Sequence, residues 1–226
     1  MPDAALTAAF EPPVHGNRRA TRGHLRDALN LLKEAGYESR GGRLIGPDGR
    51  QLSIEFLAFD PTSERTIGPF AANLKLLGIA TNIRVVDTSQ YIERLRNFDY
   101  DVVTTVLNQS HSPGNEQREY WSSVAAERVG SRNYAGIRNP AVDALIERIV
   151  YAKDREELVA TTRALDRLLL HSHYIVPQWF NAKTWVAYWD KFGIPTPQPG
   201  YVGVDLFSWW IDEEKAAALR AKYGSR

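Results

Sequence analysis

The chain has no cysteine among its 226 residues. Disulfides, cysteine-ligated zinc and thiol nucleophiles are therefore excluded. Charge of one sign is also lacking: 28 basic and 27 acidic side chains leave a net charge of +1. No strong field is present to recruit nucleic acid or anionic lipid, so neither is expected as a partner. No apolar run approaches the ~20 residues that a membrane-spanning helix requires, and the opening MPDAALTAAFEPPVHG has neither a basic n-region nor a continuous apolar stretch, so it does not read as a signal peptide. A GxSxG nucleophile elbow and a glycine-rich phosphate loop are both absent; Gly41-Gly42 precedes a strand pattern rather than a helix. His171 and His173 have no third metal ligand nearby in sequence, so no metal site and no cofactor are expected.

What is present first is an alternation of helix and strand signals. Leu25, Leu29, Leu32 and Ala35 share one helical face, followed by Gly36 at the position of a left-handed cap. Arg43–Ile45, the turn Gly46-Pro47-Asp48-Gly49 and Leu52–Phe59 predict a hairpin. Ser63 is placed to cap a helix carrying Ile67, Phe70, Leu74 and Leu77, with Gly78 closing it. Ile83 and Val85 mark a further strand, Asp87 or Thr88 caps a short helix with Tyr91 and Leu95, and Tyr100–Leu107 is a β-branched run suited to a strand covered on both faces. Strands alternating with helices predict an α/β domain with a largely parallel sheet. The basic residues Arg18, Arg19 and Arg22 read as a solvated linker, since no stacking aromatics accompany them.

After Leu107 the periodicity stops. Residues 108–136 hold Pro113, several glycines and amides, and only a weak helical stretch around Glu116–Val124. Typical connections run about 4–6 residues, so a loop this long is functional or irregular surface. In open α/β sheets ligands sit beyond the carboxyl ends of the strands, and this loop leaves such an end. Asn108, Gln109, Ser110, His111, Asn115, Glu116 and Arg118 are therefore the candidate ligand-binding residues. Two further helices follow. Asn139 caps the first with Pro140 at its opening position, and Asp143 is a favourable first-turn charge. Asp154 and Glu157 resemble a capping box for the second, and Val142, Leu145, Ile146, Ile149, Val150, Leu158, Leu165, Leu168 and Leu169 are core positions. Tyr174–Phe180 and Thr184–Tyr188 are strand-like; Phe207, Trp209 and Trp210 form a candidate exposed patch, and Asp212–Tyr223 reads as an amphipathic helix.

Three segments taken in order, GNEQREYW, NYAGIRNPAVDALI and YIVPQW, resemble the extracellular solute-binding proteins of family 5, which serve peptide ABC transporters. The run SPGNEQREYW followed by GSRNYAG is similar to the branch that also handles larger peptide conjugates. That resemblance implies a periplasmic, non-catalytic receptor of the type II, peptide-binding class, which captures a peptide or peptide conjugate between two lobes and delivers it to ABC permease subunits. Because such proteins are much longer, it also implies that this chain is the C-terminal part of one: a Pro/Arg-rich lead-in (1–24), an α/β ligand-binding lobe with a mixed, largely parallel sheet (25–179), and a segment returning to the other lobe (180–226). Many peptide-binding relatives place an aspartate just after the strand matching Tyr100–Leu107, where it pairs with the peptide amino terminus; here the sequence is Asn108-Gln109-Ser110-His111, without an acid. From the residues alone, a hydrolase-like or transferase fragment and a protein-interaction module remain open.

Overall fold

The structure, a computed structural model, describes residues 3–14, 16–110, 112–178, 183–197 and 204–224. The chain divides into two units, Met1–Val176 and Pro177–Arg226. In the first, a short helix α1 (Ala4–Thr7) precedes α2 (Arg18–Glu34). The Asn17 carboxamide accepts the N–H groups of Arg19 and Ala20, both at 3.0 Å, and so starts α2 inside the segment read as lead-in. Arg18, Arg19 and Arg22 are therefore helical rather than part of a linker. A side-chain oxygen on the first free N–H groups offsets their loss of water, which explains the early start.

Strands β1 (Glu38–Arg40) and β2 (Arg43–Ile45) form an antiparallel hairpin across Gly41-Gly42, whose φ angles of 56° and 75° suit a two-residue hairpin loop. The expected hairpin between Arg43–Ile45 and Leu52–Phe59 is not formed. Its turn exists, with Gly46 N–H donating to the Arg50 carbonyl at 2.8 Å and one bridge between Ile45 and Gln51, but β3 (Ser53–Ala58) then leaves. Burial is the reason: Phe56, Leu57 and Ala58 are consecutively buried, which requires a central strand covered on both faces. Strand β3 accordingly pairs in parallel with β4 (Ala80–Val85) on one side and β5 (Val102–Val103) on the other, with Ser53 opposite Ala80 and Phe56 opposite Val102. The segments LSIEFLAF, TNIRVVD and YDVVTTVL thus share one parallel sheet. Strand β5 is shorter than the expected Tyr100–Leu107 because its neighbour β3 ends at Ala58, so Thr104 onward runs without a ladder partner.

Helices α3 (Ser63–Leu76) and α4 (Thr88–Arg96) make the crossovers. Ile67 and Ala71 pack with Phe56 and Ala58, and Phe70 meets Phe56 edge-on with ring centroids 6.1 Å apart. Asp60, not Ser63, organises the start of α3: its carboxylate accepts from the N–H of Thr62 at 2.8 Å and the hydroxyl of Ser63 at 2.7 Å. Hydrogen bonds from the Thr62 and then the Ser63 side chain hold that carboxyl below its ordinary pKa. Asp87 caps α4 through the Gln90 N–H at 3.0 Å.

A second core joins α5 (Glu116–Trp121), α7 (Pro140–Val150) and α8 (Arg155–His171), with the short α6 (Ser123–Ala126) following α5. Tyr120, Trp121, Ile137, Val142, Ile146, Ile149, Leu165, Leu168 and Leu169 are buried together, each large aliphatic contributing about 1.5–3 kcal/mol. Asn139 caps α7, and Asp154 caps α8 through the Glu157 N–H at 2.8 Å. Asp143 does more than complement a dipole. It accepts the N–H and the hydroxyl of Ser123, at 2.8 and 2.6 Å, and so pins α6 to α7.

In the second unit, β6 (Phe192–Gly193) pairs antiparallel with β7 (Trp210–Ile211), a 3₁₀ turn spans Leu206–Ser208, and α9 (Glu213–Tyr223) follows. The described residues of Tyr174–Phe180 and Thr184–Tyr188 form no strand, since an extended segment needs a neighbour to complete its ladder and none is present among the described residues. Trp179 and Phe180 lie outside the described residues. Phe207 is fully exposed and Trp210 is 54% exposed, but Trp209 is covered within the unit, its ring 4.7 Å from Tyr188 and 5.9 Å from Phe192. Helix α9 buries only Ala216, so the expected apolar stripe is not realised. No described helix is long and apolar enough to cross a membrane.

Gly78 locks the hairpin to the sheet. Its carbonyl accepts the Leu44 N–H at 2.9 Å, its φ is +83°, and an added Cβ would stand 2.8 Å from the Leu44 nitrogen. Gly78→Ala is expected to lower the unfolding free energy by about 2 kcal/mol or more, read by urea denaturation, because both backbone strain and a main-chain clash are introduced.

Candidate functional site

Three loops leave the carboxyl edge of the parallel sheet: residues 59–62 after β3, 86–87 after β4, and 104–115 after β5. The last carries most of the candidate residues. The Tyr120 hydroxyl donates to the Asn108 carbonyl at 3.3 Å, and the Gln117 amide donates to Gln109 Oε1 at 2.7 Å. Gln117 is buried and its own oxygen accepts the Trp121 indole N–H at 3.1 Å, so it connects the loop to the helical core. Ser110 accepts the Ser112 N–H at 3.2 Å, and His111 lies outside the described residues.

Glu116 turns back on the loop, accepting the Gly114 N–H at 2.9 Å and the Gln117 amide at 3.2 Å. Burial alone would raise its pKa, but these donors and its own N–H outweigh burial and hold the carboxyl below its ordinary value. Asn115 bonds to Arg118, and Arg118 forms a two-pronged ion pair with Glu147 of α7, at 2.8 and 2.7 Å. That pairing raises the Arg118 pKa and lowers that of Glu147. The structure therefore gathers Gln109 and Glu116 around Gln117 and ties Asn108 to Tyr120, while Arg118 is engaged on α7.

Four features were missed by reading the sequence. Phe59, half exposed at the end of β3, packs on buried Tyr91 with ring centroids 5.0 Å apart. Gln117 was passed over because a polar residue in a helical run reads as solvent-facing. Arg132 lies over the Tyr120 ring, 4.6 Å from its centre. Asn133, fully buried, accepts the Ile137 N–H at 2.9 Å and donates to the carbonyls of Ile137 and Ser122, each at 3.0 Å. An Asn three residues before a glycine was the available signal for that turn, and Gly136 takes φ +60°.

A groove of about 470 Å³ lies elsewhere, between α5, α6 and α7, lined by Arg118, Ser122, Val124, Asp143, Ile146 and Glu147 among others. Its charged groups are largely satisfied by one another or by Ser123, so it offers a ligand few free polar partners. No group of three or more metal-ligating side chains occurs among the described residues. The rings of His171 and His173 flank Phe10 at 5.5 and 5.9 Å, and His171 Nδ1 lies 2.8 Å from the Arg167 carbonyl.

Asn133→Ala leaves the buried N–H and carbonyl of Ile137 without partners, and its unfolding free energy is expected to drop by about 3 kcal/mol, read by urea denaturation with circular dichroism.

Comparison with known proteins bears on these features. The profile of bacterial extracellular solute-binding proteins, family 5 (middle region), matches residues 3–127. The chain is 46% identical over 212 residues to the probable peptide-binding protein YejA of Agrobacterium fabrum, covering 93% of this chain and 34% of that protein. It is 38% identical over 210 residues to the peptidoglycan-binding protein YepA of the same organism, again covering 93% and 34%. The oligopeptide-binding protein AppA of Bacillus subtilis, solved with a nonapeptide, superposes with a TM-score of 0.61 at 18% identity over 83% of this chain and 37% of that one. The chain thus spans about a third of the length of these relatives. With the profile matching more than half of its residues, the chain belongs to the bacterial extracellular solute-binding proteins of family 5.

Proposed function

We propose that this chain supplies one ligand-contacting lobe, with a segment returning to the other lobe at 180–226, of the substrate-binding component of a peptide ABC importer. It binds a peptide or peptide conjugate, outside the cytoplasmic membrane, without chemical conversion. One observation carries the reading: a polar loop free of acids at 108–110 leaves the carboxyl end of β5 and is shaped by the Tyr120 and Gln117 bonds. A peptide receptor needs such a surface, because it must offer hydrogen bonds to a main chain while tolerating varied side chains. The names of the two Agrobacterium relatives, peptide-binding and peptidoglycan-binding, agree with either a plain peptide or a peptide attached to sugar. Family membership supports the coupling to permease subunits, with closure of two lobes around the ligand as the transmitting step.

Asn108, Gln109, Ser110, His111, Asn115, Glu116 and Arg118 are proposed as the ligand-facing set. The hydrogen bonding favours the loop residues before Asn115, since Glu116 and Arg118 are already engaged internally.

The test is a thermal-shift screen of short peptides and muropeptides against this chain completed with the remaining two-thirds of the Agrobacterium peptide-binding relative. A saturable rise in melting temperature without product formation is expected; at a hundredfold excess over Kd the stabilisation is about 2.7 kcal/mol. No shift with any probe, or turnover of one, would sink the reading. In the completed protein, alanine at Asn108 or Ser110 is expected to weaken binding by about 1–3 kcal/mol where a buried polar partner is left unpaired, measured by calorimetry.

A further inference from the structure

We propose that Arg132 receives a carboxylate of the ligand, an assignment that rests on the peptide-binding reading above. Arg132 is partly buried, its guanidinium lies over the Tyr120 ring at 4.6 Å, and the hydroxyl of the same tyrosine holds the Asn108 carbonyl of the carboxyl-edge loop. Neighbouring arginines are paired: Arg118 with Glu147, Arg128 with Glu119, Arg138 with Glu127. Arg132 forms no ion pair with any carboxylate among the described residues. The acid next to it in the fold, Glu119, is taken by Arg128 and by the backbone N–H of Arg132 itself, at 3.3 Å.

A partly desolvated cation without an ion-pair partner is costly, and the aromatic ring beneath it returns only part of that cost. What the ring does supply is orientation, because the stacked guanidinium keeps its planar fork of N–H donors fixed. That fork matches a carboxylate, which it can bind through two parallel hydrogen bonds. The surrounding charge points the same way. Asn108, Gln109 and Ser110 are neutral, and Glu116 is turned onto Gly114 and Gln117. This side of the site therefore lacks the acid that would select a ligand ammonium and presents a cation instead. A peptide offers a matching group at its C-terminus.

The experiment follows the Arg132 side-chain N–H resonance of the full 226-residue chain by NMR. The probes are tetra-alanine as the free acid, its C-terminal amide and sodium acetate, each titrated to about 50 mM so that millimolar Kd values are read. The free acid is expected to shift that resonance saturably and to bind at least about tenfold more tightly than the amide, with acetate weaker still. Arg132→Gln is expected to abolish the difference between acid and amide. Arg132→Lys, which keeps the charge and loses the fork, is expected to restore part of it. Equal affinity for acid and amide in the unmodified protein overturns the assignment and leaves the peptide reading standing, and needs no variant to fold. Discrimination that survives in Arg132→Gln overturns it as well. Absence of binding by both tetra-alanine probes overturns the assignment, and the thermal-shift screen of the completed protein decides the peptide reading separately.

Discussion

A single primary amide sets the geometry on which the rest of the first unit depends. Asn133 is completely buried, and both its N–H donors and its oxygen are used on main-chain groups of Ile137 and Ser122. By doing so it closes the turn that delivers Ile137, itself fully buried, into the core shared by α5, α7 and α8. Ser122, the other end of the clamp, is at once the last residue after α5 and the cap of α6. One side chain therefore fixes where α5 stops, where α6 starts and how the chain approaches the Asn139 cap of α7. Buried polar groups of this kind are asymmetric in energy: modest in net stabilisation when paired, expensive when one partner is removed.

The loop at the sheet edge inherits that order. Tyr120 and Gln117 project from α5 and hold Asn108 and Gln109, so a polar segment without regular structure is anchored to a hydrophobic core through two hydrogen bonds. A further tie comes from Tyr100, whose hydroxyl donates to the Tyr134 carbonyl at 2.9 Å; burial, then the neighbouring Tyr134 and Tyr91, pushes its pKa up to about 12. Ion pairs contribute less. Most are exposed, and exposed pairs give about 0–1 kcal/mol each. The exception in burial is Arg94, which joins Glu55 of β3 to Asp99 at 2.7 and 2.9 Å.

Much of this was readable before any coordinates. The caps at Asp87, Asn139 and Asp154, and the core positions of α7 and α8, follow from local rules in which a residue acts on its near neighbours. What failed depended on distant partners. Alternation shows that Leu52–Phe59 is a strand but not that its neighbours are β4 and β5 rather than β2, and aromatic runs near Tyr174 and Thr184 show strand propensity without supplying a ladder. The capping role of Asn17 was missed because the arginines after it suggested a solvated linker. In the candidate site, the loop and its place at the sheet edge were legible. Gln117 and Asn133 were not, because a buried polar residue carries no periodic signal, and the stacking of Arg132 on Tyr120 depends on a partner twelve residues away.

The proposed contact between the loop after β5 and the ligand is tested most directly by hydrogen exchange on the completed protein, with and without saturating peptide. Slowed exchange concentrated in residues 104–116 and in the neighbouring 59–62 loop is the expected result, with the α6–α7 groove unchanged. Protection confined to that groove, with 104–116 exchanging as in the free protein, would contradict the claim.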